Sequence, residues 1–546
     1  MAKQKARIVF FSLFISGTLM AGLTYKPVAG DALVAGPTIG PITVQTPGAL
    51  EKYAKFEISF SITNTVATNL YFPYDTNTPP GVASGTGITV DALLLAPGES
   101  NWNNARVLPC FYYQPVQELG NGSGAALVPT GNADWRCRFT PETVGTWQYK
   151  IRATDAGGTT ESGVQQFTVV NSNRKGFVRV SATDPRFFEF SDGTPFVSPL
   201  VNLEEGSPFN TLSSIRANVQ KLGQNGIRFV RWFPTGEGAN YFVAPFGDDM
   251  KIAWAFGEAW LDIVTVDAAK GKKFSYVPYY YSAQDIAVIP GARYRLSFRA
   301  YVAGERVLRA QIGDLPDGKM DICSASSTYH ETNGQNDVCA YKRDGWYDYS
   351  LVVTNTSATV LNVAVRGLYI FTDAPSPYNN VKTGGLRVHS IQFQRDETGN
   401  GGWGPNLLTR PDPDTYNYVD QPSAARLDEI LRLSEQYGVY HKLTLFHKND
   451  QILNRFLPDG TVTSNWDSMN VPFYSQDGYA SHWYQRAYAR YFIARWSYSP
   501  ALHSLELANE NHLTQESYDA GFSLAQYVHA VSPRHILMSN SFWGWF

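Results

Sequence analysis

The chain has 546 residues, too many for one ordinary domain, so about three are expected. Its formal net charge is −3, from 45 Lys and Arg against 48 Asp and Glu, which excludes the strongly basic surface of a nucleic-acid or anionic-membrane binder. Aromatics make up 14% of the chain, including 32 Tyr and 13 Trp. That composition suits β-domains and sugar-stacking surfaces, although ordinary sandwich cores account for part of it.

Residues 1–30 have the outline of a secretion signal. Lys3, Lys5 and Arg7 form a basic start, Ile8 to Leu23 an apolar run, and Val28, Ala29 and Gly30 a small-residue stretch for cleavage. The run is short for a spanning helix, which needs ~20 residues, so no stable membrane insertion is expected after cleavage. An uncleaved anchor is the alternative, and the cut bond is not fixed by the sequence. The four cysteines fall into two local pairs, Cys110 with Cys137 and Cys323 with Cys339. Export permits disulfides, and the spacing, without His partners, argues against zinc. No metal or cofactor is expected.

Residues 36–170 alternate short strands with Gly, Pro and Asn turns. Phe56 to Ile62 (FEISFSI) is a period-two run with one apolar and one polar face, and Thr146 to Ile151 is a second. This predicts an immunoglobulin-like sandwich. After a polar linker, residues 176–196 read as a hairpin turning at Asp192–Gly193. A strand over Phe196–Asn202 and a helix over Leu212–Gln224 follow, with Ile215, Val219 and Leu222 as the apolar stripe. Ile227 to Phe233 is a second strand. Residues 247–395 break this rhythm. Tyr294, Leu296 and Phe298 alternate on one face of a strand, and further strands follow through Leu386–Phe393, so an inserted sandwich is predicted. Trp254, Trp260, Tyr279, Tyr280, Tyr281 and Trp346 are candidate stacking residues there, with core packing the plainer role. Residues 396–546 resume the βα pattern: a helix over Ser423–Tyr437, a strand over Val439–Phe446, a helix over Tyr479–Arg495, a strand over Ser504–Leu507, a helix over Gln515–Val531, and a fifth strand over His535–Ser541.

The stretch RWSYSPALHSLELANENH, from Arg495 to His512, delivers Asn509–Glu510 at the end of the fourth strand. With NGIRFVRWFP around Arg231 and SAARLDEILRLSEQYGVYHKLTLFH ending at His447, it resembles the cellulase-like clan-A glycoside hydrolases. The stretch WRCRFTPETVGTWQYKIRA resembles the N-terminal sandwich that often precedes such barrels, and residues 247–395 are similar to jelly-roll carbohydrate-binding modules. The resemblance implies a multidomain protein: an immunoglobulin-like sandwich over 36–170, then a (β/α)8 TIM barrel over 176–246 and 396–546, interrupted by the sandwich at 247–395. About five of the eight βα units are present, so the chain reads as truncated at its C-terminal side.

The implied activity is a secreted, retaining hydrolase of a β-linked polysaccharide. Glu510 would be the acid/base, Asn509 would bind the sugar 2-hydroxyl, and Arg231 would orient the attacking carboxylate. His447, Trp232, Asn449 and Trp543 are expected on the substrate side, although a lone His447 serves equally well as a strand cap or backbone partner. The nucleophile of that family is a Glu on the seventh strand. Glu506 lies a layer below Glu510 and usually plays a structural part in that family, while Glu516 and Asp519 sit on a helix. Little or no hydrolysis is therefore expected from residues 1–546 alone. The alternative is a non-catalytic carbohydrate-binding or cell-surface protein. Which polysaccharide is bound, and the oligomeric state, are not legible.

Overall fold

The computed structural model describes residues 36–46, 48–119, 126–203, 209, 212–234, 273–275, 286–302, 306–312, 315, 318–323, 345–363, 369–372, 386–407, 419, 421–447, 479–509, 511–512 and 514–543. The protein is multidomain and mostly β, with a few helices beside one curled, half-barrel sheet.

The first unit is a sandwich of two sheets. One orders Thr43–Val44, Phe56–Phe60, Asp134–Phe139 and Phe111–Tyr113; the other orders Leu50–Glu51, Gln165–Val170, Gly145–Asp155, Thr89–Leu95 and Arg106–Pro109. Trp135, Cys137 and Phe139 point inward from one sheet to meet Trp147, Tyr149 and Ile151 from the other. The rings of Phe56 and Phe167 stack at 3.9 Å within this core. Cys110 and Cys137 form the expected disulfide. Cys323 ends the strand Lys319–Cys323, while Cys339 lies outside the described residues.

The half-barrel is a five-stranded, all-parallel sheet in chain order: β1 (Leu200–Asn202), β2 (Phe229–Trp232), β3 (Tyr440–His447), β4 (Leu502–Asn509) and β5 (Leu537–Ser539). Parallel neighbours need crossover connections. Each of the four contains a helix: α1 (Leu212–Gln224) before β2, α2 (Gln421–Tyr437) before β3 after the long insertion, α3 (Ala480–Trp496) before β4 and α4 (Gln515–Val531) before β5. Gly438 stops α2 at φ +68°, a conformation in which other residues are strained. Thr514 caps α4 by accepting from the Ser517 N–H at 3.2 Å.

Helix α3 has no polar face, and fourteen of its seventeen residues are buried. The sheet covers one side and the sandwich covers the other, and two of the charges the helix carries are paired, Arg490 with Asp91 and Arg495 with Asp428. Below the sheet, strands Val178–Val180, Phe188–Phe190 and Pro195–Phe196 form the predicted hairpin layer. Phe190 and Phe196 pack on Phe229, Tyr440 and Leu537 at the N-terminal end of the parallel strands. The inserted segment forms antiparallel sheets, one of them pairing Gly345–Thr354, Arg293–Val302, Leu386–Asp396 and Trp403–Asn406. Tyr294, Leu296 and Phe298 are buried there with Tyr349, Leu351 and Phe393. The candidate stacking residues Trp254, Trp260, Tyr279, Tyr280 and Tyr281, and the side chain of Trp346, lie outside the described residues.

Candidate active site

Alternation along the parallel strands puts one set of side chains toward the helices and the other toward the inside of the curled sheet. Val230, Trp232 and Leu443 take the helix side, and all three are fully buried. Asn202, Arg231, Lys442 and Glu506 take the inner side, where they form one polar cluster, Asn202 and Arg231 from the C-terminal ends of β1 and β2 and Lys442 and Glu506 from the middle of β3 and β4. Register makes the cluster possible, because Asn202 lies opposite Arg231, and Arg231 opposite Lys442.

Glu506 is the hub. Both of its oxygens are held by Arg231, Nε to Oε2 at 2.8 Å and a terminal guanidinium nitrogen to Oε1 at 2.7 Å. Lys442 Nζ stands 2.9 Å from Oε2, and Ser541 donates to Oε1 at 2.8 Å. The carboxylate has no exposed surface. Burial by itself would raise its pKa, but hydrogen bonds from Arg231 and Lys442 outweigh this and bring it down to about 2. Glu506 is therefore ionised at neutral pH and serves as the counter-ion of two cations.

Asn509 sits one layer above. Its Oδ1 accepts from Arg231 at 2.6 Å and from Ser541 at 3.3 Å. Its Nδ2 is buried and has no partner among the described residues. A buried donor left unsatisfied costs about 1–3 kcal/mol, and here the occupied Oδ1 fixes the amide so that Nδ2 stays available. Arg231 spans the whole arrangement, since its remaining nitrogen donates to Asn202 Oδ1 at 3.1 Å.

Of the residues singled out from sequence, Arg231 and Asn509 come together in direct contact. His447 ends β3 opposite Asn509 in register, which sets its backbone at the same mouth; its side chain lies outside the described residues. Glu510 and Asn449 also lie outside them. Trp543 belongs to a short parallel pairing with His512 just beyond the sheet, its side chain again outside the described residues.

Trp232 does not face substrate. It is fully buried on the helix side, donates through Nε1 to His441 Nδ1 at 2.9 Å, and meets the Phe209 ring edge-on at 5.3 Å. The cause is alternation: next to an inward Arg231, Trp232 must point outward.

Sequence reasoning passed over Lys442, Asn202 and Ser541. The signal for Lys442 was a lone cation in the apolar run YHKLTLF, three residues into a strand whose other members bury.

Among the described residues, no group of three or more His, Cys, Asp and Glu could hold a metal ion, and no helix is long and apolar enough to cross a membrane. No family model and no curated protein matches the chain. Among solved structures, a Bacteroides vulgatus protein provisionally assigned as a glycoside hydrolase is 12% identical, with 90% of this chain and 56% of that one covered and a TM-score of 0.39. A carbohydrate-binding module of the β-sandwich superfamily is 11% identical, with 66% and 97% covered and a TM-score of 0.13. The chain thus spans little more than half the length of the first. Likenesses at these identities and scores carry no information about chemistry.

Proposed function

We propose that the chain belongs to a secreted, retaining glycoside hydrolase that cleaves O-glycosidic bonds of a β-linked polysaccharide. Glu510 is assigned as acid/base, Asn509 as the group that grips the sugar 2-hydroxyl, and Arg231 as the residue that orients the attacking carboxylate. His447, Asn449 and Trp543 are assigned to the sugar subsites around the mouth.

The observation that carries this reading is the buried, unpartnered Nδ2 of Asn509 at the C-terminal end of a parallel strand. In α/β barrels the chemistry gathers at that end of the sheet. A donor held there without a partner suits a substrate hydroxyl, and a bond that tightens as positive charge develops at the sugar ring favours the transition state.

Glu506 is not the attacking group in this reading. Both its oxygens are tied to cations, and a carboxylate so held and so depressed in pKa is a poor nucleophile. The attacking carboxylate is assigned to a strand end outside those described. The reaction class needs neither metal nor cofactor.

Calorimetric titration with cello-, manno-, xylo- and galactotetraose identifies the best ligand, which is then compared with its analogue lacking 2-hydroxyls. The parent is expected to bind about tenfold or more tightly, and Asn509→Ala should erase that preference. Equal binding of the two compounds by the unaltered protein, or a preference that survives Asn509→Ala, would refute the assignment.

A further inference from the structure

A cleft of 390 Å³ opens between the sandwich and the first turn of α3, away from the polar cluster just described. Its walls include Tyr71, Phe72, Asp75, Thr78, Tyr112 and Trp483. The sandwich contributes an unusual element here. Residues 64–88 join the strands Ile62–Thr63 and Thr89–Leu95 without a regular strand of their own. Connections this long are uncommon in compact domains unless they are functional or disordered.

This one is built and closed on itself. The N–H groups of Thr68 and Asn69 both donate to the Thr86 carbonyl, at 2.9 and 3.0 Å. Gly85 donates to Asp75 O at 2.8 Å, and Ile88 to Phe72 O at 3.0 Å. At Gly87 an added Cβ would stand 2.3 Å from Pro73 O and 2.6 Å from Phe72 O, so a side chain there would force the two passes of the loop apart. The loop is then fastened to the barrel. Asp75 accepts the Trp483 indole N–H at 2.8 Å with one oxygen and the Asn77 N–H at 2.8 Å with the other. Phe72 is buried against the rings of Trp483, Tyr484 and Tyr488, with centroids 5.6 to 5.7 Å away. Trp483 itself stays half-buried in the cleft wall, its ring position set by these contacts.

The lining chemistry narrows the ligand. Aromatic rings alternate with neutral hydrogen-bonding groups, namely Thr68, Asn69, Thr78 and Thr86, and among the described residues the lining holds one carboxylate and no Lys or Arg. An anionic ligand would meet Asp75 without a compensating cation, and a purely apolar one would desolvate the threonines without return. A pyranose fits both demands, since its C–H face lies against rings while its hydroxyls bond polar groups. A preformed cleft also spares the ligand the cost of ordering the loop.

We propose that this cleft is a second carbohydrate site, holding a short stretch of a neutral glycan. Its position gives it a use. The link between α3 and β4 spans only residues 497–501, so the C-terminus of α3 lies at the N-terminal end of the sheet and its first turn lies at the mouth end. The cleft and the mouth therefore sit at the same end of the sheet, and one glycan surface is served by both. This assignment stands on the cleft alone and does not depend on the chemistry at Asn509.

The test is calorimetric titration of the full chain carrying Asn509→Ala with cellohexaose, mannohexaose, xylohexaose and hexagalacturonate. At least one neutral hexaose should bind, and hexagalacturonate should not. Adding Trp483→Ala should weaken binding about tenfold or more. Because Trp483 also packs on Phe72, Ala83→Trp provides a second variant, placing bulk at an exposed position of the cleft rim while leaving the core untouched. It should weaken binding to the same degree with an unchanged circular dichroism spectrum. No binding of any neutral hexaose, binding of hexagalacturonate as tight as the neutral chains, or unchanged affinity in a natively folded Ala83→Trp protein would each overturn the proposal. Failure of the 2-hydroxyl test at Asn509 with cleft binding retained would sink the catalytic reading alone.

Discussion

Glu506→Gln is the substitution that most directly tests the polar cluster. It keeps the side-chain volume but removes the carboxylate that pairs with both Arg231 and Lys442 at the hub. Folding brings the carboxyl from 4.5 down to about 2, which corresponds to about 3 kcal/mol of stability at pH 7. The sign follows from proton uptake. A group whose folded pKa is depressed contributes its full share above the unfolded value, and that share is lost as pH falls toward the folded value. With these two values the contribution shrinks to about 1.4 kcal/mol at pH 3 and is nearly gone at pH 2. Taking this buried carboxylate away from the two cations adds to the cost, so a loss of about 3–5 kcal/mol at pH 7 is expected.

The measurement is urea unfolding followed by circular dichroism at 222 nm. All four described α-helices flank the parallel sheet, so the helical signal reports that unit. The gap between unaltered and Glu506→Gln proteins should narrow by about 2 kcal/mol between pH 7 and pH 3. A gap below about 1 kcal/mol at pH 7, or one that does not change with pH, would show that Glu506 is not the buried counter-ion described above.

Two further outcomes follow from other ionisable groups. Asp428 on α2 accepts from Arg138 of the sandwich at 2.6 Å, from Arg495 at 2.7 Å and from the Trp496 indole at 2.8 Å; burial opposes its charge, but Arg138 and Arg495 hold its pKa well below the usual carboxylate range. Asp428→Asn should cost about 3–5 kcal/mol by stranding Arg495 and leaving Arg138 to Glu57 alone, and limited proteolysis should show the sandwich parting from the barrel before either unit unfolds; equal proteolysis rates would refute this. His441 is buried between Trp232 and Ser434, and burial lowers its pKa to about 3. Because Trp232 donates to Nδ1, the proton is on Nε2 and is donated to Ser434 at 2.6 Å. The unfolded chain takes up a proton below about pH 6.5 that the folded chain refuses, so stability should fall by about 2 kcal/mol between pH 7 and pH 5 from this residue. His441→Gln should flatten that part of the pH–stability curve, and an unchanged slope would count against the buried neutral imidazole.

Element positions were legible to within a few residues wherever one face alone is buried. Helices over 212–224 and 515–531 carry apolar stripes, and Gly226 and Gly438 mark the ends of the first two helices. The five parallel strands were legible too, as short apolar runs between helices. The side-chain assignments fared less evenly. In FEISFSI, period-two alternation predicts a polar face toward solvent, yet Glu57 and Ser59 are buried. The polar face is an interface: burial opposes the charge of Glu57, but Arg138 and Lys55, with Arg136, bring its pKa down to about 2, and Arg138 reaches on to Asp428 across the joint. A period tells which residues share a face but not what covers it.

The same limit separates the two kinds of knowledge about the candidate site. Local pattern sufficed to put Asn509 at a strand end and to form the disulfide Cys110–Cys137, because both depend on near neighbours in the chain. Only the assembled sheet decided that Arg231, from a strand 275 residues earlier, grips Glu506. It also turned Trp232 toward the helices, recruited Lys442 as the second cation, and left Asn509 Nδ2 without a partner. Those outcomes depend on strand register and on which layer covers each face. Both are set by contacts between segments hundreds of residues apart, which no local pattern in the sequence encodes.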